Sequence, residues 1–150
     1  MAIAWSRPEP FGAWIRLDDA TLLAIDDTLA VRLGVPHGEA QPGAARPLEL
    51  HLAVTSRCPL PCDGCYLDAR PDGDEPPFEA IADRLTAAAE AGVSLVALGG
   101  GEPLTRHYLD RIAALARRLG LVPVLTTSGA GLTDERVQKQ PTGARPSRRE

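Results

Sequence analysis

Between Leu48 and Thr126 the hydrophobic period switches back and forth between two residues and roughly 3.6. Leu48, Leu50, Leu52 and Val54 alternate, which predicts a strand from Leu48 to Thr55 with one buried face. Phe78, Ile81, Leu85 and Ala88 then fall on one face of a helix running from about Phe78 to Ala91, stopped by Gly92. Val93 to Leu98, apolar but for Ser94, has the pattern of a buried strand. A second helix is expected over about His107 to Leu119, with Tyr108, Ile112, Leu115 and Leu119 facing the core and Gly120 as its stop. Leu121 to Thr126 is the third strand. A strand–helix–strand–helix–strand order implies a parallel sheet with helical crossovers, an α/β fold.

In such sheets ligands gather at the carboxyl ends of the strands. Three marked segments fall there. The first strand runs into Cys58-Pro-Leu-Pro-Cys62-Asp-Gly-Cys65. The second ends in Gly99-Gly100-Gly101-Glu102-Pro103, and the third in Thr127-Ser128-Gly129.

The three cysteines are the only ones in the chain, and their spacing is CxxxCxxC. An odd number in one loop is not a disulfide framework and points to a metal or cluster site. A cubane iron–sulfur cluster takes one thiolate per iron, so three thiolates leave the fourth iron open for a ligand. The competing reading is a zinc site of Cys3His type, with His51 or His107 as fourth ligand, in a non-catalytic metal-binding module. The glycine run by itself is a tight strand-to-helix turn or a phosphate cradle. Glu102 by itself is a solvated charge at a helix start.

Residues 1–46 form a separate front segment, a small α+β extension with a linker. Ala13–Leu17 and Thr21–Ile25 read as short strands around Asp18-Asp19. Asp26 or Asp27 caps a helix that runs to Leu33 and ends at Gly34. His37 to Arg46, rich in Gly, Pro and Ala, is the linker. Trp5 and Trp14 are expected to pack this segment. Thr133 caps the start of a third helix, but after Val137 the only hydrophobic residue is Ala144. The expectation is therefore a core over 47–137 and a disordered tail over 138–150. A net charge of −4 gives no basis for sequence-independent nucleic-acid binding. No apolar run approaches the ~18 residues of a membrane span, and no signal peptide is apparent, so a cytoplasmic protein is expected.

Cys58-Pro-Leu-Pro-Cys62-Asp-Gly-Cys65-Tyr66 after one strand, followed by Gly100-Gly101-Glu102-Pro103 after the next, resembles the radical S-adenosylmethionine (radical SAM) superfamily. The resemblance covers about Leu48 to Val137. It implies a partial TIM-like (β/α) barrel, of which this chain holds about three of six strand–helix units, as though truncated. It implies that Cys58, Cys62 and Cys65 hold a 4Fe–4S cluster whose open iron is chelated by S-adenosylmethionine, and that Gly100, Gly101 and Glu102 meet the methionyl amine. Gly64 stands where the family often has an aromatic residue, leaving Tyr66 either to contact adenine or to pack. Ser128 stands where relatives often carry Asn, as a further cofactor contact. The family's chemistry is reductive cleavage of S-adenosylmethionine to a 5′-deoxyadenosyl radical that abstracts hydrogen from a substrate. The resemblance also implies an electron donor such as ferredoxin or flavodoxin. The front segment is similar to that of peptide- and protein-modifying branches, which implies a peptide or protein substrate.

Overall fold

A computed structural model of the chain describes residues 2–17, 21–38 and 47–134. The chain divides into two compact units, Met1–Arg46 and Pro47–Glu150. The Asp18-Asp19 turn, most of the linker and the tail over 138–150 lie outside the described residues, as does the third helix beyond Asp134.

The first unit is an antiparallel sheet of β1 (Trp5–Glu9), β2 (Gly12–Arg16) and β3 (Leu22–Asp26), followed by helix α1 (Asp27–Leu33). Both expected strands and the helix are present. Asp26 is the cap: its Oδ1 accepts from the Leu29 amide at 2.8 Å. Gly34 ends the helix in the left-handed region, where its amide reaches the Val31 carbonyl. Ala13, Ile15, Ile25 and Ala30 form the small core. Trp14 packs edge-on against Phe11, centroids 6.0 Å apart. The strand β1 was not foreseen. Its sequence, Trp-Ser-Arg-Pro-Glu, carries no apolar alternation and contains Pro8. Only an edge position tolerates such a proline, and β1 is an edge.

The second unit is a parallel sheet in the order β4-β5-β6, built from β4 (Glu49–Thr55), β5 (Leu95–Gly100) and β6 (Val122–Leu125). Helices α2 (Phe78–Glu90) and α3 (Leu109–Arg118) are the crossovers. The parallel α/β architecture read from the periodicity is the one observed. Leu52 and Val54 of β4 and Val96 and Leu98 of β5 meet Ile81 and Leu85 of α2 and Ile112 of α3 in one core. Truncating one of these leucines or isoleucines to alanine costs ~2–5 kcal/mol.

Two details differ from expectation. The glycines Gly99 and Gly100 belong to β5 rather than to a loop after it. And α3 starts at Leu109, not His107, because Pro103–Thr105 forms a 3₁₀ turn first. The later start makes Leu109, Ile112 and Ala116 the buried face, with Leu115 and Leu119 partly buried beside it. Tyr108, expected in the core, is exposed and lies against Arg111.

Candidate functional site at the carboxyl ends of the parallel strands

The cysteine loop begins where β4 stops. Its leading limb is stitched to its trailing limb. The Ser56 amide donates to the Asp74 carbonyl at 2.9 Å, and the Asp74 amide donates back to Ser56 Oγ at 2.7 Å. The Arg70 amide reaches the Ser56 carbonyl at 3.2 Å, and the Cys58 amide reaches the Arg70 carbonyl at 2.8 Å. Arg57 Nε adds a bond to the Gly73 carbonyl at 3.3 Å. Cys58 is buried, and its own amide and the two residues before it are tied to the trailing limb.

The tip of the loop is different. Cys62 is exposed and Cys65 half-buried. The turn between them closes with the Cys65 amide on the Cys62 carbonyl at 3.3 Å. Gly64 makes that turn with φ of +72°, a conformation that an L side chain adopts only under strain. This gives a local reason for glycine at position 64. Tyr66 is 89% exposed.

All three thiols are free. The Cys65 thiol is held below its ordinary pKa. The backbone amide of Ala69 is the main cause and that of Leu67 the next; the Asp68 amide adds to them, against partial desolvation and the Asp68 charge. Amides aimed at a sulfur favour the thiolate, the form that ligates metal. Among the described residues no three Cys, His, Asp or Glu side chains converge so as to hold a single metal ion. His51 is exposed and bonded to Glu49 at 3.1 Å, and His107 packs edge-on against Tyr108. A mononuclear zinc needs all donors ~2 Å from one centre. A cluster spreads its thiolates over separate irons. The donor set, three free thiols on one loop with amides turned toward one of them, fits the cluster better than the ion.

The glycine run at the end of β5 presses against this loop. The Gly101 amide donates to the Thr55 carbonyl at 2.8 Å and the Glu102 amide to the Arg57 carbonyl at 2.9 Å. A Cβ on Gly100 would lie 2.2 Å from the Thr55 carbonyl oxygen, and one on Gly101 2.3 Å from that of Arg57. Both positions need glycine because backbone lies against backbone.

Glu102 is fully buried, not a solvated helix charge. Its Oε1 accepts from the Leu104 amide at 2.9 Å and from Thr127 Oγ1 at 2.6 Å. Its Oε2 accepts from the Ser128 amide at 3.0 Å and Ser128 Oγ at 2.5 Å. Burial pushes the carboxyl pKa up, but the Ser128 and Thr127 hydroxyls and the two amides outweigh it and hold it below the ordinary value. Glu102 and Ser128, expected as separate contacts, are thus brought together as each other's partners. The carboxylate ties the end of β5 to the end of β6.

One residue of this region escaped the sequence reading. Arg106 is 4% exposed, pairs with Glu75 at 3.1 Å and donates to the Pro76 carbonyl. In the sequence it stands in Leu-Thr-Arg-His-Tyr, which reads as a solvated helix start.

The comparisons with known proteins come to the same region. A family profile described as the radical SAM superfamily matches residues 52–140. A protein named PqqA peptide cyclase, from Streptomyces rochei, is 41% identical over 99 residues, which are 65% of this chain and 27% of that protein. The chain spans about a quarter of the length of that curated relative.

Proposed function

Because this chain belongs to the radical SAM superfamily, whose members use a 4Fe–4S cluster and S-adenosylmethionine, we propose that Cys58, Cys62 and Cys65 are its cluster ligands. The observation that carries this reading is the contact of the cysteine loop with the glycine turn. The amides of Gly101 and Glu102 bond the carbonyls of Thr55 and Arg57, immediately before the first cysteine. The chemistry the cluster supplies when bound is one-electron cleavage of S-adenosylmethionine, giving a 5′-deoxyadenosyl radical for hydrogen abstraction.

The chain's own residues have positioning and electrostatic roles. Cys58 gives one rigid thiolate, anchored through its amide. Cys62 and Cys65 give two on the tip, where solvent and cofactor have access. The amides of Ala69 and Leu67 favour the anionic form of Cys65. Gly100 and Gly101 let the end of β5 lie backbone to backbone against the start of the cysteine loop, and so set the place of a methionyl amine beside it. Glu102 and Ser128 border the same place, with Glu102 holding the end of β6 in line. Tyr66 at the exposed tip is free to meet adenine.

We read residues 1–46 as an extension and linker, and 47–137 as the start of a partial TIM-like barrel. The substrate class is a peptide, supported by the relative named as a peptide cyclase. A ferredoxin or flavodoxin is the class of electron donor, and the cytoplasm the expected place. Among the described residues no helix is long and apolar enough to cross a membrane.

Anaerobic reconstitution of the chain with iron and sulfide tests the cluster. The expected result is the visible absorbance of a 4Fe–4S centre and, after reduction, an electron paramagnetic resonance signal that changes when S-adenosylmethionine is added. One zinc per chain and no iron would overturn the reading. Formation of 5′-deoxyadenosine then tests the chemistry separately from the cluster.

A further inference from the structure

Arg106 is the one buried cation of the second unit among the described residues, and the family reading leaves it without a role. It sits just beyond the 3₁₀ turn that follows Glu102, so its backbone belongs to the glycine-turn segment. Its side chain reaches back to Glu75 and Pro76, at the end of the cysteine loop. Burying a guanidinium is costly unless it is paired and hydrogen-bonded. Here the pairing is incomplete, because Arg106 Nε is buried without a partner. An apolar residue of the same length would fill the site at no such cost, so stability alone does not account for an arginine here.

We propose that Arg106 is a positioning residue that latches the trailing limb of the cysteine loop. This inference rests on reading that loop as the cluster loop. The path is short. Arg106 holds Glu75 and Pro76. Asp74, next in the chain, holds Ser56 through its carbonyl and its amide. Ser56 and Arg70 then bracket Cys58. One side chain on the β5–α3 connection thus closes the base of a loop that starts at β4. The base stays shut while Cys62 and Cys65 remain on an open tip. Charge suits the task, because the guanidinium fork binds a carboxylate and a carbonyl at once, which a single ammonium does less well.

The rival role is a purely structural one. Pro77 is the cap residue of α2, so Arg106 could serve only to hold the start of that helix. Hydrogen exchange on the full chain, free of cluster, separates the two. Arg106→Met keeps the volume and removes the fork. Exchange in peptides spanning 56–74 is expected to quicken about tenfold, with peptides over 82–90 unchanged. Glu75→Gln, a half-exposed and milder change, is expected to give about threefold in the same peptides. Faster exchange confined to the first turn of α2, with 56–74 unchanged in both variants, overturns the latch. Should Arg106→Met fail to fold, Glu75→Gln decides alone: no change over 56–74 overturns it. In the reconstituted protein Arg106→Met is expected to alter the cluster's resonance line shape, and Arg106→Lys to restore it in part. Because exchange is read without a cluster, failure of the latch and failure of the cluster assignment are distinguishable.

Discussion

The two halves of the cysteine loop are held by different means. The base, from Thr55 to Cys58 and from Arg70 to Pro76, is laced by backbone hydrogen bonds and pressed against the end of β5. The tip, from Cys62 to Tyr66, is held by two turn hydrogen bonds, the Cys65 amide on the Cys62 carbonyl and the Asp68 amide on the Cys65 carbonyl, and is otherwise mostly exposed. The same residue types therefore do unlike jobs in the two halves. A cysteine is a buried thiol in one and an exposed thiol in the other. A glycine answers to crowding in one and, at Gly64, to backbone conformation alone in the other. A rigid base with an open tip suits a loop that must place thiolates accurately yet admit a bulky ligand.

Cysteine substitutions should break this contrast most completely. Cys58→Ala and Cys62→Ala are both expected to abolish cluster loading, read as iron per chain and visible absorbance. Without cluster the two should part. Cys62→Ala should stay within about 0.5 kcal/mol of the parent, as surface changes do, whereas Cys58→Ala should lose about 1 kcal/mol of packing. Urea unfolding of the cluster-free chain measures both. Equal losses would mean that the tip is as packed as the base.

Next in size is the contact between the base and the glycine turn. Gly100→Ala forces a side chain into φ of +118° and against the Thr55 carbonyl oxygen. Neither backbone segment can yield without disturbing a parallel strand pair, so a loss of about 3 kcal/mol is expected. A loss near zero in urea unfolding would show that the two strand ends are not closely docked.

How far these halves could be read from sequence differs for a physical reason. Hydrophobic period reports burial over a local stretch. Hence Leu48 to Val54, Phe78 to Ala88 and the Val93–Leu98 run gave the strands, the helix and the parallel order. The cysteine spacing is local too, and it located the loop. Long-range polar contacts leave no such trace. Glu102 looks like a solvated charge because its partners lie 25 and 26 residues further on. Arg106 looks solvated because its carbonyl partner lies 30 residues back. Tyr108 lies outside the core because the 3₁₀ turn moves the helix frame, and Pro103 alone does not tell how many residues that turn uses.

Glu102 sharpens the comparison through pH. Its carboxyl pKa is held below the ordinary value in the folded chain, so the unfolded chain binds the proton more readily. The stabilisation is therefore present above the ordinary carboxylate pKa and is lost as pH falls through the lower folded value. Glu102→Gln turns an amide NH2 toward the Ser128 and Thr127 donors and should cost about 1–3 kcal/mol at pH 7. The difference between parent and variant should shrink as pH drops below about 4. Urea midpoints at pH 7 and at acid pH give the measurement. A difference that stays constant with pH would mean the carboxylate does not carry this network.

The smallest effect belongs to the tip and is the most diagnostic. Gly64→Ala leaves φ near +72° with a side chain that meets nothing within 4 Å. The cost is conformational alone, about 1 kcal/mol for an L residue in the left-handed region. A tip with so few contacts can relieve even that by changing shape, since nothing packed resists it. The cluster-free chain should therefore lose 1 kcal/mol or less. The relieved shape moves Cys65 relative to Cys62, however, so cluster loading should fall more than stability does. Urea unfolding and iron content, read on the same preparation, make the comparison. A stability loss as large as that of Gly100→Ala would mean that the tip is held as tightly as the base. Unchanged loading would mean that the Cys62–Cys65 turn does not set the spacing of those two thiolates.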